Sequence, residues 1–226
     1  MISFKKNFIF IHISKTGGSS IEYVLKKYAY YKVSFETNGN ALSRDKHWSI
    51  EEYSRRPIGV AGRFFGKKID INRFFKFCFV RNPWERLVSN YIYLKSIDAN
   101  YSYTEYCYPT FKDWILGAPK KRGTEKAVGT WVDSFRCSKS NSAIPLQLDM
   151  IRINGKTMMD FIGRYESLQK DFDKVCEAVN VRRQQLPRKN VSHKRDYKEY
   201  FDEDTRRVVE RQFSEDIEFF GYTFSA

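Results

Sequence analysis

Residues 14–20 read Ser-Lys-Thr-Gly-Gly-Ser-Ser, so seven positions collect one mobile cation, two glycines and four hydroxyl side chains. Such a stretch can grip an anion. Gly17 and Gly18 let the backbone come close, Ser19 and Ser20 donate from main chain and hydroxyl, and Lys15 supplies charge. The preceding run, 8–13, is Phe-Ile-Phe-Ile-His-Ile, and an amphipathic segment begins at Ile21. A buried strand feeding a turn and then a helix puts the positive end of the helix dipole behind the turn. The turn is not a Walker A loop, in which the lysine follows the last glycine; Lys15 precedes both glycines. A turn with two glycines also serves as an ordinary strand-to-helix connection, so a second segment has to decide.

That segment is 74–94, Phe-Phe-Lys-Phe-Cys-Phe-Val-Arg-Asn-Pro-Trp-Glu-Arg-Leu-Val-Ser-Asn-Tyr-Ile-Tyr-Leu. An apolar run ends abruptly at Arg81. Asn82-Pro83 marks a turn, with Pro83 suited to the first helical position. Leu87, Val88, Tyr91 and Leu94 then recur at helical spacing. Arg81 stands at the carboxyl end of the strand, where open α/β sheets bind ligands. Ser89 lies eight residues on, about two helical turns away. A guanidinium and a hydroxyl there could address one phosphate.

With both segments in view the chain resembles the sulfotransferases that use 3′-phosphoadenosine 5′-phosphosulfate (PAPS), in the branch that holds carbohydrate sulfotransferases and bacterial relatives. The stretch 12–20, His-Ile-Ser-Lys-Thr-Gly-Gly-Ser-Ser, is similar to that branch's 5′-phosphosulfate loop, with Ser14 where proline is usual. The stretch 79–89 resembles its 3′-phosphate motif in Arg-to-Ser spacing. Residues 161–168 with Asp171 and Phe172 resemble a late strand and helix, 186–192 a loop closing over the nucleotide, and 216–222 the usual ending. The likeness spans nearly the whole chain and is weakest between about 97 and 157.

The resemblance implies sulfuryl transfer from PAPS to a hydroxyl acceptor, a glycan or glycoconjugate first of all, with no metal. Charge builds on the leaving phosphate oxygen, so the reaction needs in-line positioning, a cation and a base. It assigns Lys15 to the leaving group and the backbone N–H groups of Thr16, Gly17, Gly18, Ser19 and Ser20 to the 5′-phosphosulfate. Arg81 and Ser89 fall to the 3′-phosphate. Arg188, Lys189, Asn190 and Ser192 fall to the covering loop, though Arg-Lys-Asn after Pro187 also reads as a solvated turn. Arg86 reads as a structural ion-pair partner. The base is sought in His47, which follows a polar linker where carbohydrate members carry a catalytic histidine; an imidazole suits removal of a hydroxyl proton near pH 7. His193, Glu51 and Glu52 are the alternatives. His12, between Ile11 and Ile13, reads as a satisfied core or supporting histidine. An aromatic-basic motif frequent in the family before the position of Gln147 is replaced here by Asn-Ser-Ala-Ile-Pro-Leu at 141–146.

To position these residues the pattern predicts strand 8–13, loop 14–20, helix 19–29, a short strand at 30–35 and a polar linker at 36–46. Ser49 and Glu52 form a capping box that opens a short helix. Strand 74–80, helix 83–96, an irregular insert 97–109, helix 110–117 and a mobile basic loop 118–130 follow. Residues 144–151 fit helix or strand. Strand 160–165, helix 167–179, basic loop 182–198 and helix 202–213 complete the chain. Strands alternating with helices imply an α/β fold, one domain over 1–226, with a mainly parallel sheet covered by helices on both faces. The resemblance makes it the P-loop-like sulfotransferase fold.

The 226 residues are 42% hydrophobic and 17% aromatic, with a net charge of +13 and a pI near 9.5. The charge suits a polyanionic nucleotide and an acidic acceptor, and is compatible with peripheral contact to an anionic membrane. Cys78, Cys107, Cys137 and Cys176 make no zinc or Cys-x-x-Cys spacing, which implies reduced thiols. No segment has the pattern of a secretory leader or the length of a membrane span. A cytoplasmic, bacterial enzyme is expected, unless an anchor has been removed. Two rivals are a P-loop kinase or nucleotide hydrolase, and a basic nucleic-acid-binding module using Tyr101, Tyr103, Tyr106 and Tyr108. No RNA- or DNA-binding motif accompanies those tyrosines.

Overall fold

The computed structural model describes residues 1–29, 47–55, 69–98, 110–116, 144–187 and 195–224. In chain order the elements are β1 (Ile2–Ser3), β2 (Phe8–Ile11), α1 (Gly18–Leu25), α2 (Ile50–Arg55), β3 (Phe75–Val80), α3 (Pro83–Asp98) and α4 (Phe111–Leu116). Then come α5 (Gln147–Ile151), β4 (Arg152–Ile153), β5 (Lys156–Thr157), β6 (Phe161–Arg164), α6 (Leu168–Ala178), α7 (Glu203–Gln212) and α8 (Ser214–Phe220). The residues group into two compact units, Met1–Arg81 with Gln147–Lys189, and Asn82–Leu146 with Asn190–Ala226.

The first unit carries the sheet, in strand order β1-β2-β3-β6. β2, β3 and β6 run parallel, with Phe10 opposite Phe77 and Cys78 opposite Ile162, and β1 pairs antiparallel on the outer edge of β2. The fold is α/β with a mostly parallel sheet, as the alternation of apolar runs and helical periods requires. All four residues of β2 are buried, and so are the last five of β3. Inner parallel strands covered on both faces read as unbroken apolar runs. Phe8, Phe10, Phe77 and Phe79 point to one face and pack with Ile21, Val24 and Leu25 of α1 and with Phe172, Val175 and Cys176 of α6. Gly163 belongs to this packing, because a Cβ there would lie 2.4 Å from the Phe79 ring. Asp171 ties β6 to α6: its carboxylate accepts from Arg164 N–H (3.0 Å), the Ser167 hydroxyl (2.6 Å) and Lys174 (2.8 Å).

Several expected elements differ in detail. The helix expected at 19–29 ends at Leu25 and tightens into a 3₁₀ turn, Lys26–Tyr28. The ambiguous stretch 144–151 is helical from Gln147 and leads into a β4–β5 hairpin. Its turn residues, Asn154 and Gly155, both have positive φ (50° and 77°), as a two-residue hairpin loop demands. The expected strand 30–35, the linker 36–46 and the basic loop 118–130 lie outside the described residues.

In the second unit Asn82 caps α3. Its Oδ1 accepts from the N–H groups of Trp84 (3.1 Å) and Glu85 (3.3 Å), with Pro83 at the first helical position. Phe111 of α4 packs edge-on against Tyr91 of α3 and Phe201. Asp202 and Thr205 form a capping box for α7, and α8 stops at Gly221 in the left-handed region (φ 62°). α8 has no counterpart in the sequence reading; seven residues are too few for a periodic signal.

Candidate functional site

The site in the first unit is built where β2 and β3 end. Being parallel and in register, the two strands deliver their carboxyl ends to the same side. Beyond β2 the chain turns sharply through 14–17 and enters α1. Lys15 is left-handed, with φ 67°, and Gly17 follows at φ 82°. Left-handed backbone is strained for a lysine and easy for glycine. Gly17 is needed for space as well: a Cβ would sit 2.8 Å from Leu168. Gly18 is tighter still, since its Cβ would lie 2.2 Å from the His12 ring.

Within the loop, the Thr16 hydroxyl donates to the Ile13 carbonyl at 2.9 Å and is fully buried, so it shapes the turn. Ser20 N–H donates to the Gly17 carbonyl at 3.1 Å, which commits that group to the start of the helix. The positive end of α1 thus backs a turn made of Lys15, Thr16, Gly17 and Gly18.

Arg81 reaches this turn from the end of β3. Its Nη1 donates to the Lys15 carbonyl at 3.1 Å, and its guanidinium stacks 3.9 Å from the centroid of the Tyr165 ring. Arg81 is buried. Burial, and then the Arg81 charge, pull the Lys15 ammonium down from 10.5 to about 8. The Arg81 guanidinium thus rests on the Lys15 main chain at a helix N-terminus, and an anion there would relieve the repulsion between the two positive charges.

His12 and His47 support the same turn. His12 Nδ1 lies 2.8 Å from Glu22 Oε1, and the ring is almost wholly buried between α1 and Phe10. This is the satisfied core histidine expected from its neighbours. His47 sits 4.7 Å from it, ring to ring, and its Nδ1 faces the His12 main-chain carbonyl at 2.9 Å. A carbonyl only accepts, so His47 Nδ1 carries the proton and Nε2 is the basic nitrogen. The carboxylates weighed beside it have local work. Glu52 accepts from Ser49 N–H (2.6 Å) in the expected capping box, and Glu51 pairs with Arg55 at 2.6 Å.

Of the other expected residues, Ser89 lies buried on α3 in the second unit, and Arg86 is buried there, donating to the Pro145 carbonyl at 3.0 Å. Arg188, Lys189, Asn190, Ser192 and His193 lie outside the described residues, as do Cys107, Cys137 and the four tyrosines at 101–108. Cys78 and Cys176 are free and buried. The sequence reading missed two residues that hold Arg81. Tyr165 gives no local sign of its stacking role. Gln147 does: it is a polar residue between buried Leu146 and Leu148. No helix among the described residues is long and apolar enough to cross a membrane.

Comparison with known proteins supplies the name of the family. An uncharacterized protein of Archaeoglobus fulgidus is 30% identical over 117 residues, covering 51% of this chain and 75% of its own length. No solved structure matches. The model of the sulfotransferase family matches residues 1–223, so that both halves of the sheet, the turn at 14–17 and the end of β3 fall inside it; the chain belongs to the sulfotransferase family.

Proposed function

We propose that this protein transfers a sulfuryl group from PAPS to a hydroxyl on a carbohydrate, and that residues 1–226 act as one sulfotransferase domain. The observation that carries the reading is the pairing of Lys15 and Arg81. A half-buried lysine and a buried arginine meet at one glycine turn at the strand ends, and cations so placed suit a ligand with several negative charges. The two glycines let the turn be built tightly, its backbone packed directly on Leu168 and on the His12 ring.

In this reading the backbone N–H groups of Thr16 to Ser19 and the Ser19 and Ser20 hydroxyls hold the 5′-phosphosulfate, the Ser20 N–H being taken by the Gly17 carbonyl. Lys15 neutralises the charge that grows on the leaving phosphate oxygen. Arg81 holds the 3′-phosphate, with Ser89 assigned to the same group on motif spacing and Arg188, Lys189, Asn190 and Ser192 to the covering loop. The bond from sulfur to the phosphate oxygen breaks as the bond to the acceptor oxygen forms, and the acceptor proton passes to Nε2 of His47. The basic surface favours an acidic glycan or glycoconjugate, and the cytoplasm is the proposed compartment.

Calorimetric titration with adenosine 3′,5′-bisphosphate, with ATP as control, tests the donor class. Micromolar binding that weakens at least tenfold in Arg81→Ala, while staying measurable, supports it. Binding of ATP alone, or of oligonucleotides with a steep salt dependence, would replace it with one of the rival readings.

A further inference from the structure

The carboxyl end of β3 is finished by a side chain. The ladder between β3 and β6 ends at Val80 opposite Arg164. One residue further on, Arg81 N–H donates to Gln147 Oε1 at 2.9 Å, and Gln147 Nε2 donates to the Arg81 carbonyl at 3.0 Å. The primary amide thus serves as a one-residue strand, satisfying the peptide groups on both sides of Arg81. Gln147 is fully buried at the start of α5, followed by buried Leu148 and Ile151. A polar side chain in such a place is costly unless both of its groups are matched, and Arg81 matches both. With both peptide planes held, the Cα–Cβ direction of Arg81 is set, and its side chain leaves the strand towards the Tyr165 ring and the Lys15 carbonyl.

We infer that Gln147 is a positioning residue for Arg81: its amide fixes the main chain from which the guanidinium reaches the anion turn, and through Arg81 it governs nucleotide capture. This rests on the reading that Arg81 holds a nucleotide phosphate. Removing the amide frees the Arg81 main chain to rotate and lets the guanidinium leave Lys15.

The experiment is a mutant cycle of wild type, Gln147→Leu, Arg81→Ala and the double variant, each titrated calorimetrically with adenosine 3′,5′-bisphosphate. Gln147→Leu weakens binding roughly tenfold or more, and the double variant binds no worse than Arg81→Ala alone, because contacts made through one residue are not additive. Effects that multiply in the double variant would overturn the inference. A second measurement needs no nucleotide: the pH dependence of Lys15 modification by an amine-reactive reagent, followed by peptide mass spectrometry. Lys15 titrates near 8 in the wild type and moves upward in Gln147→Leu, as it does in Arg81→Ala. An unmoved titration would again overturn the inference. If the wild type binds no bisphosphate, the donor reading fails and the Lys15 titration alone decides the role of Gln147. Should Gln147→Leu not fold, Gln147→Met stays uncharged and of similar length while lacking both polar groups. The same two measurements on it must show a loss of the same kind.

Discussion

The guanidinium of Arg81 donates to the main-chain carbonyl of Lys15 at 3.1 Å, across 66 residues of sequence. The contact joins the ends of two parallel strands and holds a lysine in the left-handed region. It makes the anion turn and the end of β3 a single device, so that disturbing either should be felt at the other.

Lys15→Met removes the cation and keeps most of the side-chain volume. Turnover of PAPS in the presence of a hydroxyl acceptor should fall about 100- to 1,000-fold, the cost of removing one preorganised charge-stabilising group. Radiolabelled sulfate transfer measures it. Near-normal turnover would remove Lys15 from the leaving-group role.

The titration of Lys15 sets a pH limit. Its ammonium, pulled from 10.5 to about 8 by burial and then by Arg81, is cationic below that pH and neutral above it. Second-order turnover should therefore decline as pH rises through 8. In Arg81→Ala the residual limb should move to higher pH, because one of the two causes is gone. The same shift acts on folding with the opposite trend. Between 8 and 10.5 the unfolded chain binds more protons at this site, so its contribution to stability improves with rising pH. A pH series of denaturant unfolding for wild type and Lys15→Met reads that difference.

For His47→Ala the expected result is a loss of turnover of about 100- to 10,000-fold with bisphosphate affinity kept. Since Nδ1 is bound to the His12 carbonyl, His47→Asn tests orientation separately from basicity and should remain inactive. Wild-type turnover in His47→Ala would move the base to His193 or a carboxylate.

Gly18→Ala and Gly163→Ala form a matched pair. Each places a methyl group within 2.4 Å of a buried ring, His12 in one case and Phe79 in the other. Both should lose about 1–3 kcal/mol of stability through overpacking. Only Gly18→Ala should also weaken bisphosphate binding, because its ring partner lies under the anion turn. Equal binding in the two variants would argue that the turn tolerates displacement.

What the sequence disclosed was local. The apolar runs before His12 and Arg81 marked the inner strands, Asn82-Pro83 marked the cap of α3, and Ser49 with Glu52 marked the cap of α2. The turn residues at 14–20 were recognisable because glycine and hydroxyl side chains act through their own backbone. Other features depended on partners distant in sequence. Tyr165 carries no sign of its contact with Arg81, 84 residues away, and a glutamine between two leucines marks Gln147 as unusual without naming its partner, 66 residues away. β1, with two residues, carries no period at all. The β4–β5 hairpin went unread: Asn154-Gly155 is a strong turn signal, but its two-residue strands gave no alternation to flank it.

β1 has a consequence for handling the protein. Its two residues pair with Ile9 and Phe8 and occupy the outer edge of a strand that reads Phe-Ile-Phe-Ile and contains no charge. A bare edge of that composition is a template on which another chain can add a strand. Removing residues 1–6 would leave the turn at 14–17 intact in sequence and yet bare this edge, and the shortened chain is expected to self-associate through its sheet. Where the chain is cut ahead of β2 thus bears on how readily copies of it join through their sheets.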